Sequence, residues 1–150
     1  MNSTQINSKD KKADIPGFII ERTSKRMRQS FKGIIKKMNA GITIDQWAVL
    51  YTLKKEDKLN QFELANRTFK DAPTITRIID KLSEKNMIDR MPDIEDRRRF
   101  TIQLTDTGKN KIDEIIPAAR AFRRKVWKGL DKENVNLLIT TLNQVFENLK

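Results

Sequence analysis

The chain has 150 residues, 37% of them hydrophobic, and a formal net charge of +11, with no histidine and no cysteine. That length fits one domain, or one domain with a helical appendage, and the missing residue types exclude thiol redox sensing, disulfides, Cys/His zinc sites and histidine acid–base catalysis. The positive excess points to a polyanionic partner, nucleic acid before membrane.

Residues 1–14, "MNSTQINSKDKKAD", are polar and carry no apolar stretch of the signal-peptide kind, so they read as a disordered leader. No apolar run approaches the roughly 18 residues that a membrane helix requires, so the expectation is a soluble, cytoplasmic protein. The charge is not spread evenly. Residues 22–37 hold seven basic side chains and residues 120–128 hold five, with no acid in either segment, and together these exceed the whole net charge. Two readings stay open for these faces. They are solvated helix surfaces, outside a dimer for instance, or they supply a positive field that speeds association with DNA.

A first helix is predicted over 15–39. Ile20, Met27, Phe31, Ile34 and Met38 form a narrow seam suited to another helix, and Gly41 ends it. Thr43 caps the next helix with Gln46 as its capping-box partner, and Ile44, Trp47, Leu50 and Tyr51 mark the buried stripe down to about Lys55. Asn60, with Glu63 three residues on, opens a short helix whose apolar side holds Phe62, Leu64 and Ala65. After the turn "RTFKDA", Pro73 suits a helical first turn, and Ile75, Ile78, Ile79 and Leu82 follow at the spacing of one buried face. Asn86, which tolerates the left-handed conformation, ends that helix.

Two strands are predicted next, at 87–92 and 99–104. In the second, Phe100, Ile102 and Leu104 alternate with polar residues, the period of a half-buried strand. Thr105 or Thr107 starts a long helix to about Gly129 with the seam Ile112, Ile115, Ala119, Phe122 and Val126, and Pro117 inside it predicts a kink or weak point. Asp131 caps the last helix, where Val135, Leu138, Leu142, Val145 and Leu149 repeat the seam.

Helix, turn, helix and hairpin together make a winged helix-turn-helix, whose second helix lies in the major groove. The fold class is therefore mainly α, a winged helix-turn-helix core with a two- to three-stranded β-wing, flanked by terminal dimerisation helices. The expected divisions are a leader at 1–14, an N-terminal dimerisation helix at 15–40, the DNA-binding domain at 43–104 and C-terminal dimerisation helices at 105–150. With the isoleucines inward, Thr74, Thr76, Arg77, Asp80 and Lys81 face outward. Threonine bonds base edges or phosphates, and arginine is the commonest bidentate reader of guanine. Thr74, Thr76, Arg77 and Lys81 are the recognition-helix candidates, with Asn60 and Gln61 as backbone contacts. An ordinary solvated helix face is the plain alternative.

The hairpin tip, "DIEDRRR", sets Asp93, Glu95 and Asp96 against Arg97, Arg98 and Arg99. An indiscriminate phosphate grip would shed the acids. Asp96 lies close enough to hold the Arg98 guanidinium by a bidentate pair, and an arginine so oriented can enter the narrow minor groove beside the recognition helix. The plain alternative is a charge-rich turn whose ion pairs contribute little.

Taken together, "ITIDQWAVLYTL", "LNQFELANRT" and "APTITRIIDKLSEKNMIDRMPDIEDRRRFTIQLTDTGKNKIDEI" resemble the MarR family, the multiple-antibiotic-resistance type of bacterial transcriptional regulator. The resemblance covers residues 15–150, and its most specific part is Asp96, Arg97 and Arg98 followed by "IQLTDTGK". It implies a symmetric homodimer on a palindromic operator in double-stranded DNA, with half-sites about one helical turn apart, and hence a nucleoid-associated protein. It places Thr74, Thr76 and Arg77 on the recognition helix and Arg98 in the wing with Asp96 as its orienter. Many members are repressors released by small, often anionic aromatic effectors bound where the dimer helices meet the DNA-binding lobe. Here such a pocket would be lined by Met27, Arg28, Phe31, Trp47 and Tyr51, residues that serve equally as plain core. Without cysteine the chain is no thiol sensor. Asn86 stands where a glycine is usual, and Phe69, Lys70 and Ala72 are less typical in the turn, so base preference does not carry over. No cofactor and no metal are expected. An enzyme is disfavoured because there is no Gly-rich phosphate loop or metal-ligand cluster. The competing reading is a winged-helix protein-interaction module without specific DNA reading, which the charge excess outside the reading helix favours slightly.

Overall fold

The computed structural model describes residues 15–150, so the leader expected at 1–14 lies outside the described residues. Six helices and three strands follow in order among them. The described chain divides into two compact units, one up to Pro117 and the other from Ala118 to Lys150.

In the first unit, α1 (Pro16–Lys37) opens on a proline whose missing N–H would be unpaired in a first turn anyway, and it stops before Asn39 and Gly41, both left-handed. Only part of the expected seam is buried. Phe31 and Ile35 are inside, Met27, Ile34 and Met38 are half-buried, and Ile20 is exposed with its neighbours Phe18 and Ile19. Helix α2 (Ile44–Lys55) carries the capping box expected of Thr43 and Gln46. Its burial runs round the helix, through Gln46, Trp47, Val49, Leu50 and Leu53, because α1, α3, α4 and β3 all touch it. Its helical period is therefore nearly silent in the sequence.

The short strand β1 (Leu59–Asn60) leads straight into α3 (Gln61–Thr68), where Asn60 and Glu63 form a second capping box. Helix α3 ends on Phe69 in the left-handed region, φ 54°. Helix α4 (Ala72–Glu84) follows, capped by Asp71 and burying Ile75, Ile78, Ile79 and Leu82 as its spacing requires. Asn86, φ 55°, turns the chain into β2 (Ile88–Pro92), which returns through the wing turn as β3 (Phe100–Leu104). The sheet is antiparallel in the order β1-β3-β2, with Leu59 opposite Ile102 and Arg90 opposite Ile102 on the other side.

Helix α5 (Asp106–Val126) begins inside this lobe. Thr105 accepts the Gly108 N–H at 3.0 Å and donates its hydroxyl to the Asn86 carbonyl at 2.6 Å. Ile112 and Ile115 are fully buried, and Lys54 of α2 pairs with Asp113 at 2.5 Å. The first unit thus runs past residue 104, through three turns of α5. Pro117 sits within a helix that continues on either side of it, and the division between the two units falls immediately after it.

In the second unit the rest of α5 reaches Val126, Gly129 makes a left-handed turn at φ 81°, and Asp131 caps α6 (Lys132–Glu147) by accepting the Asn134 N–H at 2.8 Å. No residue of α6 is buried within the chain. Leu138, Leu142 and Val145 of the expected seam are exposed, together with Leu137, Ile139 and Phe146.

Candidate nucleic-acid interface

The outward face of α4 is built by its inward one. Four isoleucine and leucine side chains lock the helix to the core, so Thr74, Arg77 and Lys81 are fixed on the solvent side. Thr74 donates its N–H to Asp71 at 2.7 Å, and Thr74, through its hydroxyl and then its N–H, holds the Asp71 carboxyl below its ordinary value; Arg77 adds to this. The Arg77 guanidinium has no hydrogen bond or ion pair among the described residues and is exposed. Lys81 makes only a solvent-exposed pair with Glu84 at 3.0 Å.

Thr76 is less free than the sequence implies. Its hydroxyl donates to the Ala72 carbonyl at 2.9 Å and accepts from the Gln61 side-chain amide at 2.5 Å. Gln61 and Thr76 therefore tie the start of α3 to α4. Asn60 likewise spends its side-chain oxygen on the Glu63 N–H at 2.8 Å. Asp80, expected to face outward, forms an ion pair with Arg90 of β2 and so links α4 to the wing. Nothing in the periodicity distinguishes this acid from a solvated one, because its partner lies on another element.

The wing turn departs from the expected geometry. Asp96 does not hold the Arg98 guanidinium. Its Oδ1 accepts the Arg98 backbone N–H at 3.0 Å, and its Oδ2 lies 3.7 Å from Arg99 Nε. Asp93 likewise accepts the Glu95 N–H at 2.9 Å, and its own N–H donates to the Arg99 carbonyl at 2.9 Å. The acids are turn-formers: a short carboxylate bonding the backbone two residues on closes an Asx-turn. The consequence for Arg98 is release, with its guanidinium making no hydrogen bond or ion pair among the described residues. Arg97 is exposed beside it.

A separate cleft of about 450 Å³ opens between α1, α2 and the turn before α4. Of the five candidate pocket residues, Arg28, Trp47 and Tyr51 line it. Met27 does not line it, and Phe31 lies in the core with its ring centroid 6.0 Å from that of Trp47. Trp47 and Tyr51 stack at 5.2 Å. The sequence reading missed Asp45, Lys70 and Phe69 on the rim. Asp45 accepts from Arg28 at 2.8 Å and from Lys70 at 2.6 Å, bridging segments distant in sequence. Burial pushes the Asp45 carboxyl up, but the Lys70 and Arg28 bonds and charges outweigh that and hold it below the ordinary carboxylate value.

Within the two basic segments, Lys25 pairs with Glu21 at 2.8 Å and Arg28 with Asp45, while the cations of 120–128 form no ion pair among the described residues. No described helix is long and apolar enough to cross a membrane.

A model of the MarR family matches residues 42–100, the span from the start of α2 to the wing. The HTH-type transcriptional regulator YwoH of Bacillus subtilis is 34% identical over 116 residues, covering 72% of this chain and 84% of that protein. The HTH-type transcriptional repressor IacR of Pseudomonas putida is 26% identical over 140 residues, covering 93% of this chain and 83% of that one. Among solved structures, the S. aureus MepR–DNA complex superposes with a TM-score of 0.82 at 20% identity, covering 96% of this chain and 100% of that one, a likeness of fold. The chain belongs to the MarR family and is a transcriptional regulator, not an enzyme.

Proposed function

We propose that the protein is a homodimeric repressor that binds a palindromic operator, places α4 in the major groove and the wing in the adjacent minor groove, and acts in the cytoplasm as a nucleoid-associated protein. The observation that carries this reading is the outward face of α4. Thr74, the unpaired Arg77 and Lys81 stand on a helix locked by its apolar side, and the Asp80–Arg90 pair links that helix to a wing whose tip carries an unpaired Arg98. Base specificity then falls first to Arg77 and Thr74, while Arg97 and Arg98 hold the wing on the sugar-phosphate edges of the minor groove. Thr76, Gln61, Asn60 and Asp96 act by holding these groups in place. Dimerisation is supported by the apolar side chains that α6 and the start of α1 leave exposed.

We also infer that the cleft at Asp45 takes a small aromatic anion that releases the protein from DNA. The Trp47–Tyr51 stack offers a ring surface, and Arg28 and Lys70 offer cations that an incoming carboxylate can draw from Asp45. A protein-interaction module remains the second reading, because the charge excess of 22–37 and 120–128 lies outside α4.

The test is quantitative operator binding. Arg77→Ala is expected to cost about 1–3 kcal/mol and to relax preference at one base position, as expected for a lost bidentate base contact. Equal affinity and equal base preference in parent and variant would remove α4 from the reading role.

A further inference from the structure

Between the start of α3 and the wing lies a groove of about 510 Å³ lined by Asn60, Gln61, Phe62, Arg98, Arg99 and Phe100. Two phenylalanines are left in water there, Phe62 at 74% and Phe100 at 51% exposure. The helical spacing of α3 made Phe62 part of its apolar side, and strand alternation made Phe100 an inward residue. Both instead face outward. Among the described residues no carboxylate lines the groove, and two guanidinium groups do. Its polar floor is already engaged inside the protein, Gln61 with Thr76 and Asn60 with Glu63. What remains to meet a partner is therefore two rings and the free Arg98.

Alternating apolar and anionic groups are what a deoxyribose-phosphate strand presents. The position of the groove points the same way. It lies between the wing, read as entering the minor groove, and the start of α3, which the Gln61–Thr76 bond ties to the helix read as entering the major groove, and one strand of the duplex has to cross the protein surface between those two grooves. We propose that this strand runs through the Phe62–Phe100 groove, with deoxyribose faces packed on the two rings and a phosphate on Arg98. The proposal rests on the operator reading above and names its strand-positioning residues. Phe62 holds the duplex in register while contributing nothing to charge neutralisation.

The distinction is measurable, because phosphate contacts give salt dependence and apolar contacts do not. Operator duplex is titrated with parent, Phe62→Ala, Phe100→Ala and Arg98→Ala proteins across a range of salt, with hydroxyl-radical footprints of each complex. Phe62→Ala is expected to lose about tenfold in affinity, the scale of one well-buried apolar contact, with the salt slope unchanged. Its footprint should lose sugar protection on the one strand between the two grooves. Phe100→Ala should show the same pattern more weakly, and Arg98→Ala should flatten the slope by about 0.9. Phe62 is exposed, so its melting temperature should stay at the parent value. If Phe62→Ala binds within twofold of the parent, or weakens binding with the strand still protected, the groove does not hold the DNA strand. If the parent itself selects no duplex, the operator reading fails along with it.

Discussion

Replacing Gly108 with alanine sets two physical effects of opposite sign against each other. Gly108 sits in the first turn of α5, where alanine as the better helix former should stabilise by about 1 kcal/mol. But a Cβ built there meets the Met87 carbonyl oxygen at 2.1 Å and its carbon at 3.0 Å, with Leu104 Cδ2 at 3.3 Å. The first two are backbone atoms at the root of β2, so no side chain can swing aside. Helix and strand have to part by about 1 Å before the contact becomes tolerable. That shift strains three bonds that join α5 to the lobe: Thr105 N–H to Met87 at 3.1 Å, Thr105 hydroxyl to Asn86 at 2.6 Å and Gly108 N–H to Thr105 at 3.0 Å. Overpacking costs about 1–3 kcal/mol and each of the three weakened bonds about 1 kcal/mol, so against the helix gain of about 1 kcal/mol the net expectation is a loss of roughly 3–5 kcal/mol. Urea unfolding at fixed protein concentration reads it, with Gly33→Ala as the control. Gly33 lies within α1 with nothing inside 4 Å of its Cβ, and its alanine variant should be stabilised by up to about 1 kcal/mol. If Gly108→Ala proved as stable as the parent or more so, close approach of α5 to the wing root would not be what requires glycine there.

Three further outcomes follow from the geometry. Asp80→Asn loses the charge of an exposed pair, so stability should change by less than about 1 kcal/mol, while operator affinity falls because Arg90 no longer ties the wing to α4; unchanged affinity in a gel-shift titration would show that the clamp is idle. The Asp45 carboxyl is depressed in the folded state, so its stabilising share is present above the unfolded value near pH 4 and is lost as pH falls through the folded value. The stability difference between parent and Asp45→Asn should accordingly hold from pH 7 to about 4 and shrink below it, as followed by urea unfolding at each pH; a difference that grew on acidification would reverse the sign of the argument. Finally, benzoate should quench Trp47 fluorescence in a Trp127→Phe background, and Arg28→Ala or Lys70→Ala should weaken that quenching about tenfold, whereas equal quenching in all three proteins would place benzoate elsewhere.

Much of the lobe could be read from the sequence because local rules governed it. Both capping boxes, the buried face of α4, the left-handed Asn86 and the two wing strands follow from spacings of two to four residues, and tertiary context did not override them. Where neighbours in space decided, the sequence was silent or misleading. Helix α2 is buried on several sides, so its pattern lost its period. Asp96 found the nearer backbone N–H before the Arg98 side chain. Phe62 and Phe100 obeyed hydrophobic pattern rules yet stayed in water, which is where a functional surface breaks such rules. The cleft is built by Asp45 and Lys70, 25 residues apart, and no spacing rule joins them. The seams at the chain ends were visible in the spacing, but α6 buries none of its apolar residues within the chain, so only their pattern and not their packing could be read.

The central claim is that the exposed face of α4 and the wing read one DNA sequence as a pair. Selection of bound fragments from random duplex DNA, with purified protein at near-physiological salt, addresses it most directly. A single palindrome with half-sites about ten base pairs apart should be enriched. Salt-sensitive background binding without an enriched sequence would contradict it and favour the interaction-module reading.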